Sequence, residues 1–352
     1  MFRHLDFSLM EVAGNANILA ECGDCGHLFR VMDGEHREVL EELYQSTEYA
    51  EHKEARVVRQ GGAEVHAAVA QARVVLQQLG DTRPPGILDI GCFDGALLGA
   101  FENEGYGGRL VGFDVEERLA FKDHCTGEFT TGPLDEIQGS FGLILLSQSL
   151  MYIRDLTGLF AEIDRLLAPG GSLFVHVPDI LQKPPMILLA DQHHYFTKGK
   201  LGALLARNGF VPEFLENTPF PRDLLALSRK GKTGNLPTET VLPTLASSLD
   251  TTAGCWQELA GGLDGYTILG TTMEAAFAHS LEPGKTTAFV DEDPHKVGGL
   301  FQGLPVLHPS SLQAGQHCIL PLGQSALPLL LRFETQYPGT FHLLEAGLRT
   351  VA

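Results

Sequence analysis

The sequence predicts an α/β protein with a doubly wound core, a small N-terminal segment ahead of it and a second, smaller unit of the same class behind it. Three observations carry this. The apolar run Ile87, Leu88 and Ile90 is punctuated by Gly91 and Gly95, and Ala96 to Phe101 resume at helical spacing, so a buried strand turns sharply into a helix. A second strand, Leu110 to Phe113, ends on Asp114. The same order of strand, helix and acid-ended strand returns at Tyr266 to Gly270, Met273 to Ser280 and Thr287 to Pro294. In such units ligands bind at the carboxyl ends of the strands.

Composition narrows the ligand. The 352 residues suit two or three domains. Forty-four acids against 25 Lys and Arg give a net charge of -19, which repels nucleic-acid backbone and anionic membrane and points to a small-molecule partner. No stretch approaches the roughly 18 consecutive apolar residues of a membrane helix. The first residues carry acids early and lack an apolar signal core, so a cytoplasmic location is expected.

Taken in order, the chain opens on a segment expected to span residues 1–60. Cys22 and Cys25 in Glu-Cys-Gly-Asp-Cys-Gly-His read as a zinc knuckle. A structural zinc wants four ligands, and His4 is the other upstream candidate. The alternatives are a relic hairpin or a site completed by another chain. Residues 35 to 60 are charged and helical in character, and their Tyr44 and Tyr49 either cover a ligand or pack on the core.

The core is expected over 61–232. Ala63 to Leu79 has helical apolar spacing and stops at Gly80 and the Pro84-Pro85 break. The strand–turn–helix follows. Its turn lacks a dinucleotide fingerprint, because Phe93 and Ala96 stand at the second and third glycine positions, and a phenylalanine keeps a pyrophosphate off the backbone. A third strand is expected near Glu128 to Thr131, and a fourth within Ser140 to Ile153. A helix, a Pro-Gly-Gly turn and a fifth strand are expected over Glu162 to Pro178.

Asp89, Gly91 and Gly95 on the turn, with Asp114 on the next strand, resemble the first motif of class I S-adenosylmethionine-dependent methyltransferases, in its Asp-Ile-Gly-Cys-x-Asp-Gly form. The likeness extends over roughly 120 residues, through the Pro-Gly-Gly segment. It implies a Rossmann-like methyltransferase core with S-adenosylmethionine as cofactor, held by Asp89, Gly91, Cys92, Asp94, Gly95 and Asp114. The acid ending the second strand would accept from ribose hydroxyls. Gly132, Pro133 and Leu134 would meet adenine, and Ser147 and Gln148 the methyl group and its acceptor. Gly142 departs from the family's usual Asp, and Tyr152 from its usual His.

The run Asp191-Gln192-His193-His194-Tyr195-Phe196-Thr197 resembles the site mouth of sugar C-methyltransferases, whose His-Glu-His set aligns with Ala190, Asp191 and Gln192 here. Only the acid is kept, so His194, His193 and Tyr152 stand as candidate bases, imidazole suiting proton removal near neutral pH. Capping and packing of the following helix is the competing role of the two histidines.

The region 233–352, entered through a turn-rich boundary, resembles the Rossmann-like C-terminal domain of the same sugar enzymes, in Phe-Val-Asp-Glu-Asp-Pro-His-Lys-Val-Gly. Thr271 and Thr272 replace its glycine turn and would donate to a phosphate, unless the domain now serves packing or dimerisation. The resemblance implies methyl transfer to a small molecule, C-methylation of a nucleotide-linked sugar or natural-product intermediate being favoured. The rivals are O- or N-methylation of another metabolite and a non-catalytic scaffold that binds S-adenosylmethionine.

Overall fold

The computed structural model describes residues 18–32, 57–60, 63–188, 191–218, 220–232, 240–321 and 326–344. The chain divides into two compact units: the larger takes 18–183 and 191–240, and the smaller takes 241–352 with the short insert at 184–188.

The larger unit opens with a hairpin, β1 (Ile18–Glu21) and β2 (Leu28–Val31), and a second hairpin, β3 (Val57–Gln60) and β4 (Ala63–His66). Helix α1 (Ala67–Leu79) starts only after β4, where the His66 ring accepts from the Ala68 N–H, and it stops at Gly80 with φ 59°. Pairing with each other makes 57–60 and 63–66 strand, so the helix expected from Ala63 begins only at Ala67, and residues 35–56 of the other expected helix lie outside the described residues. Tyr44, Tyr49 and His4 lie outside the described residues.

Then come β5 (Gly86–Ile90), α2 (Ala96–Asn103), β6 (Arg109–Phe113), α3 (Phe121–His124), β7 (Glu128–Thr130) and β8 (Phe141–Ser147). They are followed by α4 (Leu156–Leu166), β9 (Leu167–Pro178), β10 (His194–Tyr195), α5 (Lys198–Arg207), β11 (Phe210–Glu216) and β12 (Asp223–Lys230). The central sheet runs β11-β12-β9-β8-β5-β6-β7, with β12 antiparallel to both of its neighbours, β11 and β9, and the remaining pairs parallel. The expected Pro-Gly-Gly turn lies inside β9, whose register jumps from Phe141↔Leu167 to Leu143↔Ser172 as Gly170 takes φ 76°.

Alternation along the strands splits the core in two. Ile87, Leu143 and Leu145 pack with α1 and α2, while Leu88, Ile144 and Leu146 pack with α4 and α5 on the other face. Gly142 departs from the usual Asp because the Pro84-Pro85 break fills its place: a Cβ there would lie 2.4 Å from Pro85 Cδ. The sheet order reverses at β5, between β6 and β8, so the carboxyl ends of β5 and β8 form the crevice where such folds hold ligands.

The smaller unit has α6 (Leu242–Gly261), β13 (Tyr266–Leu269), α7 (Met273–Leu281), β14 (Thr286–Val290), β15 (Leu300–Phe301), β16 (Leu304–Leu307), β17 (His317–Leu320), α8 (Leu327–Gln336) and β18 (Thr340–Leu343). Its sheet order is β15-β16-β14-β13-β17-β18, parallel except for β15. Fully buried Trp256, Tyr266 and Phe289 centre its core. Among the described residues no helix is long and apolar enough to cross a membrane.

Candidate functional site

The turn after β5 is built by two backbone bonds, Gly91 N–H and Cys92 N–H to the Phe113 carbonyl at 2.8 and 3.0 Å. Gly91 has φ 80°, and a Cβ on it would meet Ser149 Cβ at 2.6 Å. Gly95, φ 76°, starts α2 over the Phe121 ring, and Asp94 Oδ1 accepts from Ala96 N–H. Between them Phe93 holds φ 49°, a conformation a bulky side chain adopts only where the surroundings impose it. Its N–H donates to Asp114 Oδ2 at 3.0 Å, which ties the turn to the acid ending β6. Arg118 ion-pairs with the same carboxylate at 3.0 Å.

Asp89 sits on the same face of β5 as Ile87 and is 2% exposed, with Oδ1 lacking any hydrogen-bond partner among the described residues. Burial, and then the neighbouring Asp114 and Asp94, push its carboxyl up to about 8. A buried acceptor left open costs stability unless something fills it, so Asp89 marks where a donor belongs. Cys92 is placed differently from expectation. Its N–H is spent on Phe113, its side chain is buried in the core, and burial pushes the thiol up.

At the end of β8, Ser147 Oγ donates to Gln71 Oε1 of α1 at 2.6 Å. Gln148 takes φ 56°, donates its N–H to the His176 carbonyl, and leaves its buried Nε2 without a partner among the described residues. Sequence reasoning passed over Gln71; the available signal was a polar residue on the apolar stripe of α1, where it is 6% exposed. Gly132, φ 104°, follows β7, then Pro133, and Leu134 packs on the α4 side of the core. Tyr152 closes a short 3-10 turn, Leu150–Tyr152, and also packs there.

The expected bases lie together but are bound differently. His194 on β10 places Nε2 3.1 Å from the Ile153 carbonyl and Nδ1 2.9 Å from His27 Nε2, so both ring nitrogens are engaged. Burial lowers its pKa. His193 bonds through its backbone to the Met151 carbonyl and the Arg30 N–H. Beside them Tyr195 pairs with β2, and buried Arg30 donates to its hydroxyl and to the Gln192 carbonyl.

Cys22 and Cys25 are free thiols at the hairpin tip, and no group of three or more His, Cys, Asp or Glu gathers for a metal among the described residues. The ammonium of Lys200, from α5, already donates to the Gly26 carbonyl of that tip and pairs with Glu21 at 2.9 Å. A structural zinc takes four anionic or imidazole donors, of which the tip supplies the two thiols.

In the smaller unit Gly270 has φ 87° and donates to the Val290 carbonyl at 2.7 Å. Thr271 N–H and Oγ1 both reach Asp291 Oδ2, and Thr272 Oγ1 caps α7 on Ala275. This repeats the Gly91, Phe113, Asp114 arrangement of the larger unit.

A family profile described as Methyltransferase domain matches residues 64–213. Among curated relatives, the trans-aconitate 2-methyltransferases of Acidovorax sp. (strain JS42) and Acidovorax ebreus (strain TPSY) are each 29% identical over 126 residues, 33% of this chain and 47% of theirs. The chain thus spans about half the length of the relatives it matches. Human N-acetylserotonin methyltransferase, solved in complex with S-adenosylmethionine, is 22% identical over 46% of this chain and 52% of its own, with a TM-score of 0.39. The crevice between β5 and β8, with Asp89, the glycine turn and Asp114, lies inside the span that is similar to this methyltransferase domain.

Proposed function

We propose that this protein transfers the methyl group of S-adenosylmethionine to a small molecule in the crevice at the ends of β5 and β8. The observation that carries the reading is the buried, open Oδ1 of Asp89 beside a turn locked to Asp114. An acceptor in that position suits a cofactor that brings its own donors. Asp89, the Gly91 to Gly95 turn and Asp114 would hold it, with Gly132, Pro133 and Leu134 beside the β6–β7 end and Ser147 and Gln148 toward the acceptor. The cofactor supplies an electrophilic methyl on a sulfonium. The chain's part is to align the acceptor in line with it and to take the acceptor's proton where a carbon or hydroxyl is methylated. His194, whose two ring nitrogens are engaged, His193 and Tyr152 are the candidates for that proton.

For the acceptor we favour C-methylation of a nucleotide-linked sugar. The support is the smaller unit, whose Gly270, Thr271 and Asp291 keep a ligand-type turn at the end of β13. O- or N-methylation of another metabolite is the second reading, favoured by the trans-aconitate name of the matched relatives.

Calorimetric titration of S-adenosylmethionine into the pure protein tests the cofactor: saturable 1:1 heat is expected, and none at millimolar cofactor sinks the proposal. Turnover of a sugar-nucleotide panel against a panel of carboxylic acids then chooses the acceptor. In His193→Ala, loss of turnover with cofactor binding retained is expected of the base, and full turnover removes it. Binding without turnover on either panel would favour the scaffold reading.

A further inference from the structure

Arg118 stands four residues after Asp114 and turns back onto it. Its Nε and Nη2 both donate to Oδ1, at 3.2 and 3.0 Å, while Phe93 N–H donates to Oδ2 at 3.0 Å. The guanidinium also lies over the Phe93 ring, 5.5 Å from its centroid. The Arg118 and Asp114 side chains are 8% and 9% exposed. An ionised carboxylate offers about four acceptor positions. Among the described residues three N–H groups use those of Asp114, and the position left belongs to Oδ2.

A ribose presents two neighbouring hydroxyls, and an open carboxylate accepts one on each oxygen. Here Oδ1 is already filled. Breaking a buried ion pair costs more than a single hydroxyl bond returns, so a ribose hydroxyl does not displace the guanidinium.

We propose that Arg118 makes Asp114 a one-hydroxyl acceptor, in which Oδ2 takes one hydroxyl of the adenosyl ribose and Oδ1 stays with Arg118. The proposal rests on the reading of this crevice as the S-adenosylmethionine site. Arg118 is then a positioning residue: it acts on the cofactor through the carboxylate and sets which ribose hydroxyl is recognised.

The test is calorimetric binding of 5′-methylthioadenosine and its 2′-deoxy and 3′-deoxy counterparts to the full chain, with no catalysis involved. In the wild type, removal of one hydroxyl is expected to weaken binding about tenfold and removal of the other less than about threefold, as expected for one bond to a charged acceptor. Arg118→Met opens Oδ1, so the tolerated deletion becomes costly too, again about tenfold. Arg118→Lys, whose single ammonium leaves Oδ1 an acceptor position, shifts the ratio the same way and serves if thermal unfolding shows the Met variant to be misfolded. Equal cost of the two hydroxyls in the wild type, or an unchanged ratio in both variants, overturns the proposal. Failure of the wild type to bind either 5′-methylthioadenosine or S-adenosylmethionine overturns the cofactor reading itself.

Discussion

His194 donates its Nε2–H to the Ile153 carbonyl at 3.1 Å, which leaves its Nδ1 to accept from Nε2–H of His27 at 2.9 Å. One proton assignment satisfies the whole chain of bonds. It makes His194 the link between the loop after β8 and the hairpin of β1 and β2.

That link is pH-dependent. Burial, then His194 and Lys200, lower the His27 pKa to about 4, so as pH falls from 6.5 the unfolded chain takes the proton first. Stability is fully present above pH 6.5 and is lost progressively toward pH 4, by on the order of 3 kcal/mol. Urea unfolding of the wild type and His27→Gln between pH 4.5 and 7.5 checks this: the variant's stability should fall less steeply. Parallel pH profiles would remove His27 as the cause.

Asp89 has the opposite sign. Its carboxyl is raised to about 8, so between pH 4 and 8 the folded protein holds the proton more tightly than the unfolded chain, and the ligand-free protein loses stability as pH rises through 8. Asp89→Asn should therefore stabilise the ligand-free protein at pH 8 by a few kcal/mol, with the gain shrinking toward pH 4. Cofactor binding should weaken in the same variant. A variant equally stable at both pH values, or one that binds S-adenosylmethionine as well as wild type, contradicts the placement.

The Phe121 ring lies under the turn. A Cβ on Gly112 would meet Phe121 Cε2 at 2.4 Å and Cys92 Sγ at 2.7 Å. Gly112→Ala should cost about 1–3 kcal/mol by overpacking. Adding Phe121→Leu should recover part of it, although the leucine alone destabilises. Strict additivity of the two changes in denaturant unfolding would show that they do not touch.

Lys200 should matter more to the hairpin than any metal. Metal analysis of purified protein is expected to find well under one zinc per chain, and added zinc should leave the melting temperature unchanged. Lys200→Met removes one partner of a buried pair and should cost about 3 kcal/mol. Glu21→Gln in the same background should reduce that loss. Stoichiometric zinc would restore the knuckle.

Where the fold was legible in sequence, the signals were local. Ile87 to Asp114 reads correctly because alternation, glycine punctuation and helical spacing are properties of neighbours. The lead-in to α1 differs because Ala63 to His66 has helical spacing yet is captured by pairing with Val57–Gln60. Cys92 stands at a site position of the motif, but the turn after β5, whose Cys92 N–H bonds the Phe113 carbonyl, leaves its side chain in the core. The two thiols of the knuckle are close in sequence, whereas the lysine that bonds the tip comes from α5.

By itself, then, the sequence determined the two α/β units, the glycine turn and the acid that ends the second strand. Tertiary structure alone decided which atoms of that machinery remain open. Ser147 finds Gln71, 76 positions away, and His194 finds His27, 167 away. Such bonds depend on how strands and helices stack, and no periodicity records that. The open Oδ1 of Asp89 is likewise a property of its surroundings, because whether a buried acceptor is satisfied depends on every element packed around it.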